Sequence, residues 1–216
     1  QNGGIPDASL LCLALGEAGA AYTTIQLTRV GALDIGEGET AALTKLRVTY
    51  PRAYWPLVLD LAEETGVDPY LILAVARQES TYRAGLTSRA GATGVMQLMP
   101  ATATWLAKVD EGIEADTAAD LFNAGNSLRL GAFYLMRMLE RSNGNVVFAV
   151  ASYNGGPGNC DKWRKRLGES DMPAFIEKIP FDETRNYVKN VLGYYAAYHS
   201  IYPAMNDAQR ISIASP

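Results

Sequence analysis

The stretch that most restricts the fold is Asn145 to Tyr153, which is almost free of polar side chains and lies between the breakers Asn143-Gly144 and Gly155-Gly156-Pro157-Gly158. A helix that is apolar on every side has no face to offer water, so other elements must surround it. Candidates are plentiful. Asp68-Pro69 is an N-cap acid followed by a first-turn proline, and Pro100 opens a helix over Ala101 to Lys108. Asn123 starts a long amphipathic stretch that reaches about Arg141. Further helices are predicted over Cys160 to Leu167, near Pro173 to Lys178, and from about Glu183 to Tyr202. Alanine is the commonest residue, apolar positions recur three and four apart, and no strand-like alternation of valine, isoleucine and threonine is present. The expected fold is all-α, with Asn145 to Tyr153 at its centre.

The first fifty residues read differently. Ala8 to Leu15, Glu17 to Val30 and Thr40 to Val48 resemble short helices parted by Gly31 and by Gly36-Glu37-Gly38. Such pieces cannot enclose a core of their own. The expected organisation is therefore a helical-array remnant over 1–49, a main domain over 50–203 and a loosely ordered tail over 204–216. Ala8 to Leu15 does not read as a signal-peptide core, because Asp7 precedes it, Glu17 closes it and the first basic residue is Arg29. The chain begins at Gln1 rather than methionine, so a processed or truncated form is expected. The long uncharged run Ala90 to Ala107 contains Gly91, Gly94, Gln97 and Pro100, which argues against a membrane span.

Composition limits the chemistry. With 48% apolar and 19% charged residues and a net charge of -4 in 216 residues, neither a disordered chain nor a nucleic-acid binder is expected. A single histidine, His199, and two cysteines, Cys12 and Cys160, leave no histidine cluster, zinc ribbon or CxxC pair. No metal or cofactor is expected, and catalysis must lean on carboxylates, hydroxyls or backbone dipoles. His199 shares its predicted helix with Tyr194, Tyr195, Tyr198 and Tyr202 and reads as a packing or surface residue without an identifiable partner. Nucleophile-elbow, phosphate-loop, dinucleotide, zinc-protease and calcium-loop patterns are all missing from the sequence.

Four stretches remain as carriers of chemistry. In Arg77-Gln78-Glu79-Ser80, helical spacing puts Glu79 on the face of Ile72, Val75 and Ala76. A carboxyl group held there has a raised pKa and suits a general acid, whereas pairing with Arg77 or Arg83, or escape to solvent, would make it structural. Spacing alone favours the structural role. Ser88 to Pro100 carries two glycines three apart, Gln97 and two methionines, and reads either as a sugar-binding wall or as a loop with methionine core filler. Tyr153-Asn154 enters a glycine-rich helix end and is either a cleft pair or a C-cap. Finally, Ile179 to Val188 opens the last helix, where Asp182 and Glu183 suit the helix dipole as well as a site.

In order, Glu79-Ser80, Gly91-Ala92-x-Gly94-Val95-Met96-Gln97-Leu98-Met99-Pro100, Tyr153-Asn154-Gly155-Gly156-Pro157-Gly158 and Ile179-Pro180-Phe181-x-Glu183-Thr184-Arg185-x-Tyr187-Val188 resemble the catalytic domain of bacterial soluble lytic transglycosylases, over about Tyr50 to Tyr202. The resemblance implies a lysozyme-like, goose-type helical domain acting on peptidoglycan glycan strands in the periplasm or cell envelope, as a monomer. It makes Glu79 the single catalytic acid, with the substrate's own 2-acetamido group assisting and a 1,6-anhydromuramyl end as product. Ser88, Gln97 and Met99 match residues lining the glycan cleft, Tyr153 the tyrosine near the acetamido group, and Asn154 and Glu183 neighbours of the site. The chain departs from the family at Arg83-Ala84, where an acidic or amide residue and a proline are usual, and at Val95 and Gly155, usually leucine and alanine. A goose-type lysozyme that transfers to water and a non-catalytic glycan-binding module are the rival expectations.

Overall fold

The computed structural model describes residues 20–31, 38–110, 113–114, 119–169 and 171–202. The predicted helix at Ala8 to Leu15, the turn at Gly36-Glu37, Cys12 and the tail from Ala204 lie outside them. Among the described residues the architecture is all-α. In chain order the helices are α1 (Ala21–Arg29), α2 (Glu39–Thr49), α3 (Trp55–Thr65), α4 (Pro69–Ser80), α5 (Pro100–Val109), α6 (Ala124–Arg141), α7 (Val146–Gly155), α8 (Pro157–Leu167), α9 (Met172–Glu177) and α10 (Asp182–Ile201). The only extended pairing described is two isolated bridges, Thr87 with Thr93 and Thr93 with Leu98, in the loop before α5.

Two helices form the centre. In α7, every residue from Phe148 to Tyr153 is buried, and the helix is enclosed by α6, α8 and α10. In α4, Tyr70 to Ala76 are all buried, with α10 packed along one side and α3 along another. Each fully buried Val, Leu, Ile or Phe contributes about 1.5–3 kcal/mol. Local capping starts these helices where the sequence indicates. Asp68 accepts from the Tyr70 amide at 2.8 Å, Asn123 from Asn126 at 3.1 Å, and Asn145 from Phe148 at 3.2 Å.

The glycine-rich segment ends α7, at Gly155, as the sequence indicates, but α8 begins at Pro157, three residues before the predicted start at Cys160. Pro157 needs no amide partner at a helix start, so Gly156 alone makes the corner. His199 has partners. Its Nε2 lies 3.1 Å from Asp68 Oδ2, which also accepts from Tyr195 at 3.1 Å, and its ring meets Tyr70 edge-on. The cap acid of α4 is thereby tied to the last turns of α10.

The loop joining α4 to α5 is seated on α6. The Met96 amide donates to Ser127 Oγ at 3.1 Å, and the buried Met96 side chain crosses α6 at Gly131. A Cβ at Gly131 would lie 2.4 Å from Met96 Cγ and 2.5 Å from its Cβ, so this close crossing requires glycine. Gly131→Ala is expected to destabilise the protein by about 1–3 kcal/mol in urea unfolding, through overpacking. Combining it with Met96→Ala should recover part of that loss, as a double-mutant cycle would show.

Candidate active site

Glu79 is on the last turn of α4, where a strongly apolar helix delivers it to the edge of the core. The helix stops abruptly because Thr81 and Tyr82 both take left-handed backbone angles, with φ of 52° and 64°. Such angles are strained for non-glycine residues and persist only where surroundings hold them. Tyr82 is held at its far end: its fully buried hydroxyl donates to Leu73 O at 3.2 Å and meets the Tyr198 hydroxyl, which donates to Pro51 O at 2.9 Å. Beside Glu79, Ser80 Oγ donates to Val95 O at 2.8 Å and accepts from the Arg83 amide at 3.0 Å. The acid is therefore fixed to both the helix and the following loop.

Neither arginine considered as an ion-pair partner meets Glu79. Arg77 turns away, stacking on Tyr50 and Tyr194 and donating to Thr49 O at 2.6 Å. Arg83 lies over Tyr22, with its Nε on Ser80 O at 2.9 Å. What Glu79 does meet is Tyr187 of α10, whose hydroxyl donates to Oε1 at 2.7 Å. Burial raises the Glu79 pKa from its ordinary 4.5 to about 8; the Tyr187 hydrogen bond opposes that rise, and the nearby Glu183 charge adds to it. At neutral pH Glu79 is a protonated carboxylic acid.

The acid borders a cleft of about 750 Å³. All seven residues singled out from the sequence line it: Glu79, Ser88, Gln97, Met99, Tyr153, Asn154 and Glu183. The two methionines of the loop separate by role, since Met96 is buried in the core whereas Met99 is 42% exposed at the cleft. Gln97, at φ 47°, donates its amide to Leu86 O at 3.0 Å and Gly94 O at 2.8 Å, so that amide braces the loop. Ser88 Oγ accepts from the Ala92 amide at 3.0 Å. Tyr153 donates its hydroxyl to Met96 O at 3.0 Å rather than into the cleft. Its oxygen keeps a lone pair for an incoming donor. Asn154 Oδ1 accepts from Thr184 at 2.7 Å, leaving its amide N–H groups for the cleft.

Sequence reasoning quoted Tyr187 within a motif but gave it no role, and it passed over Tyr134, Thr102, Asn186 and Asn190, which also line the cleft. The available signal was helical spacing: Glu183, Tyr187 and Asn190 are four and three apart and share one face of α10. Tyr134 is half-buried and packs edge-on to Tyr153, with ring centroids 5.1 Å apart. Nothing in the sequence near Tyr134 points to that contact. Burial raises the pKa of both Tyr153 and Tyr187 well above 10, and the Glu79 charge adds to this, so both hydroxyls stay neutral. Among the described residues, no group of three or more histidine, cysteine or acidic side chains is placed to hold a metal ion.

A family model described as the transglycosylase SLT domain matches residues 56–176, and one described as the soluble lytic transglycosylase helical domain matches residues 178–205. The soluble lytic murein transglycosylase of Salmonella typhimurium is 37% identical over 154 residues, spanning 71% of this chain and 24% of that protein. Its counterpart in Escherichia coli K12 is 36% identical with the same coverage. The chain thus spans about a quarter of the length of these curated relatives. Among solved structures, an inactive mutant of the lytic transglycosylase Slt from Pseudomonas aeruginosa superposes with a TM-score of 0.69 at 33% identity, over 83% of this chain and 30% of that one. A complex of the 70-kDa soluble lytic transglycosylase with bulgecin A gives 0.70 at 30% identity, over 90% of this chain and 34% of that one. The fold is the lysozyme-like helical fold of these enzymes.

The raised pKa of Glu79 has a thermodynamic signature. Below pH 4.5 both folded and unfolded forms hold the proton. Between 4.5 and about 8 the unfolded chain gives it up while the folded chain keeps it, so stability falls as pH rises through that window and levels off above 8. Glu79→Gln escapes this loss. Its gain in melting temperature over the parent is expected to be near zero at pH 4 and largest at pH 8, where it reflects on the order of 2–3 kcal/mol after allowing for water at the cleft mouth.

Proposed function

This chain belongs to the transglycosylase SLT family, and on that premise we propose that it is a peptidoglycan lytic transglycosylase. It cleaves the β-1,4 bond between N-acetylmuramic acid and N-acetylglucosamine and leaves a 1,6-anhydromuramyl end. The observation that carries this reading is Glu79: a carboxylic acid kept protonated near neutrality, hydrogen-bonded by Tyr187 and lining the cleft.

Glu79 gives its proton to the glycosidic oxygen, and the bond from that oxygen to C1 breaks. The positive charge at C1 is stabilised by the sugar's own acetamido carbonyl. Tyr153, with its proton engaged by Met96 O, accepts the acetamido N–H and turns the carbonyl toward C1. Glu79, now a carboxylate held by Tyr187, removes the proton from the muramyl 6-hydroxyl as that oxygen attacks C1, and the acid is regenerated. Proton count and bonds balance without water. The burial that raises the Glu79 pKa also limits competing water in the site.

The support includes the bulgecin A complex of a structural relative, which associates this fold with that ligand. Within this reading, residues 50–203 form the catalytic unit and 1–49 the end of a helical array, and the enzyme works on the wall outside the cytoplasm. Among the described residues, no helix is long and apolar enough to cross a membrane. Glu183 is the second carboxylate at the cleft and is the group a hydrolase would use to activate water, so the product decides between transferase and lysozyme chemistry.

Mass spectrometry of fragments released from purified peptidoglycan is expected to show 1,6-anhydromuramic ends, with release lowered about 10²–10⁴-fold in Glu79→Gln. Reducing ends would make it a hydrolase, and glycan binding without release would make it a binding module. Activity should decline as pH rises through about 8, where Glu79 loses its proton. Tyr187→Phe, which removes the hydrogen bond favouring the charged form, should shift that alkaline limb to higher pH while lowering kcat.

A further inference from the structure

A second cavity, of about 470 Å³, lies beyond the loop that follows Glu79, lined in part by Tyr22 and Thr23 of α1, Tyr54, Arg83 and Leu86. Arg83 is the charged group in its wall. The guanidinium is fixed at two points: its Nε donates to Ser80 O at 2.9 Å and its plane lies over the Tyr22 ring at 4.5 Å. Among the described residues no carboxylate pairs with it, in contrast to Arg129, Arg137, Arg141, Arg164 and Arg185, each of which meets an acid. A guanidinium braced through Nε and one face presents its remaining N–H groups as a fork, the geometry that receives a carboxylate.

This cavity and the cleft share one loop. Leu86 lines the cavity and Ser88 lines the cleft, and Leu86 O is also the acceptor for the cleft residue Gln97. Two residues of extended chain span at most about 7 Å. The two cavities therefore adjoin across residues 86–88, and a short peptide carried on a sugar in the cleft is the kind of substituent that would bridge them. Resting on the reading of the substrate as peptidoglycan, we propose that the Arg83 cavity binds a carboxylate of the stem peptide attached to the muramyl sugar, making this pocket a determinant of stem preference.

The decisive test is direct binding, which does not depend on turnover. A synthetic stem tripeptide and its fully amidated, uncharged form would be titrated by NMR against the full chain and against Arg83→Gln and Arg83→Lys. The expected result is that the full chain favours the acidic peptide about tenfold, that Arg83→Gln abolishes the preference, and that Arg83→Lys retains only part of it, because lysine keeps the charge but not the braced fork. Equal binding of the two peptides, no binding of either, or a preference untouched in Arg83→Gln would overturn the proposal. In parallel, the ratio of kcat/KM on stem-bearing to stem-stripped strands should fall in Arg83→Gln. Release from neither substrate by the parent chain would count against the functional reading, while the acid-to-amide preference would still decide the carboxylate site.

Discussion

Everything around the cleft depends on how one apolar helix ends. α4 is buried along most of its length and must still bring a carboxyl group to the edge of the cleft, so it cannot fade into solvent as surface helices do. It stops instead through two successive left-handed residues, Thr81 and Tyr82, and the strain is held by buried hydroxyls: Tyr82 to Leu73 O and Tyr198, Tyr198 to Pro51 O. Because Tyr198 is on α10, the same helix that supplies Tyr187 to Glu79 also holds the turn after Glu79 in place. The position of the acid is thus set from two directions by one element, which is how a rigid scaffold keeps a reacting group within tight geometric limits.

Much of this was legible in the sequence because it is local. Asp68-Pro69, Asn123 and Asn145 mark helix starts through bonds within one turn, and the apolar run at Asn145 to Tyr153 announces burial by composition alone. The motifs bearing Glu79, Gln97, Tyr153 and Glu183 pointed to residues that line a common cleft. What was hidden was long-range pairing. The choice between an arginine and a tyrosine as the partner of Glu79 depends on how α10 packs on α4, and Tyr187 is 108 positions away in the chain. His199 was likewise read as lacking a partner because Asp68 is 131 positions distant. The run of glycines after Asn154 correctly marks the end of α7, while the start of the next helix lies at Pro157, after a single corner residue, rather than at Cys160.

The cleft wall divides into parts with different tolerance for change. Tyr153 and Tyr187 are buried and donate to Met96 O and to Glu79, whereas Met99, Glu183, Asn186 and Asn190 project from exposed positions. Gln97 belongs to both, since its backbone is strained and its amide braces the carbonyls of Leu86 and Gly94. The depth of the cleft is thereby anchored in packed helices, while its rim is built from side chains that cost the core little when altered.

The clamp on Arg77 carries a different message, about where the folding unit begins. Its guanidinium lies over the rings of Tyr50 and Tyr194, which meet edge-on, and donates to the carbonyl of Thr49, while Tyr202 donates to the carbonyl of Tyr50. The segment matched by the catalytic family model begins only at residue 56. A cut made there would leave a deeply set cation without its acceptor and strip one aromatic wall from it. The packed body of the molecule thus reaches back into the end of α2, and a fragment starting at residue 56 would lack part of what holds Arg77.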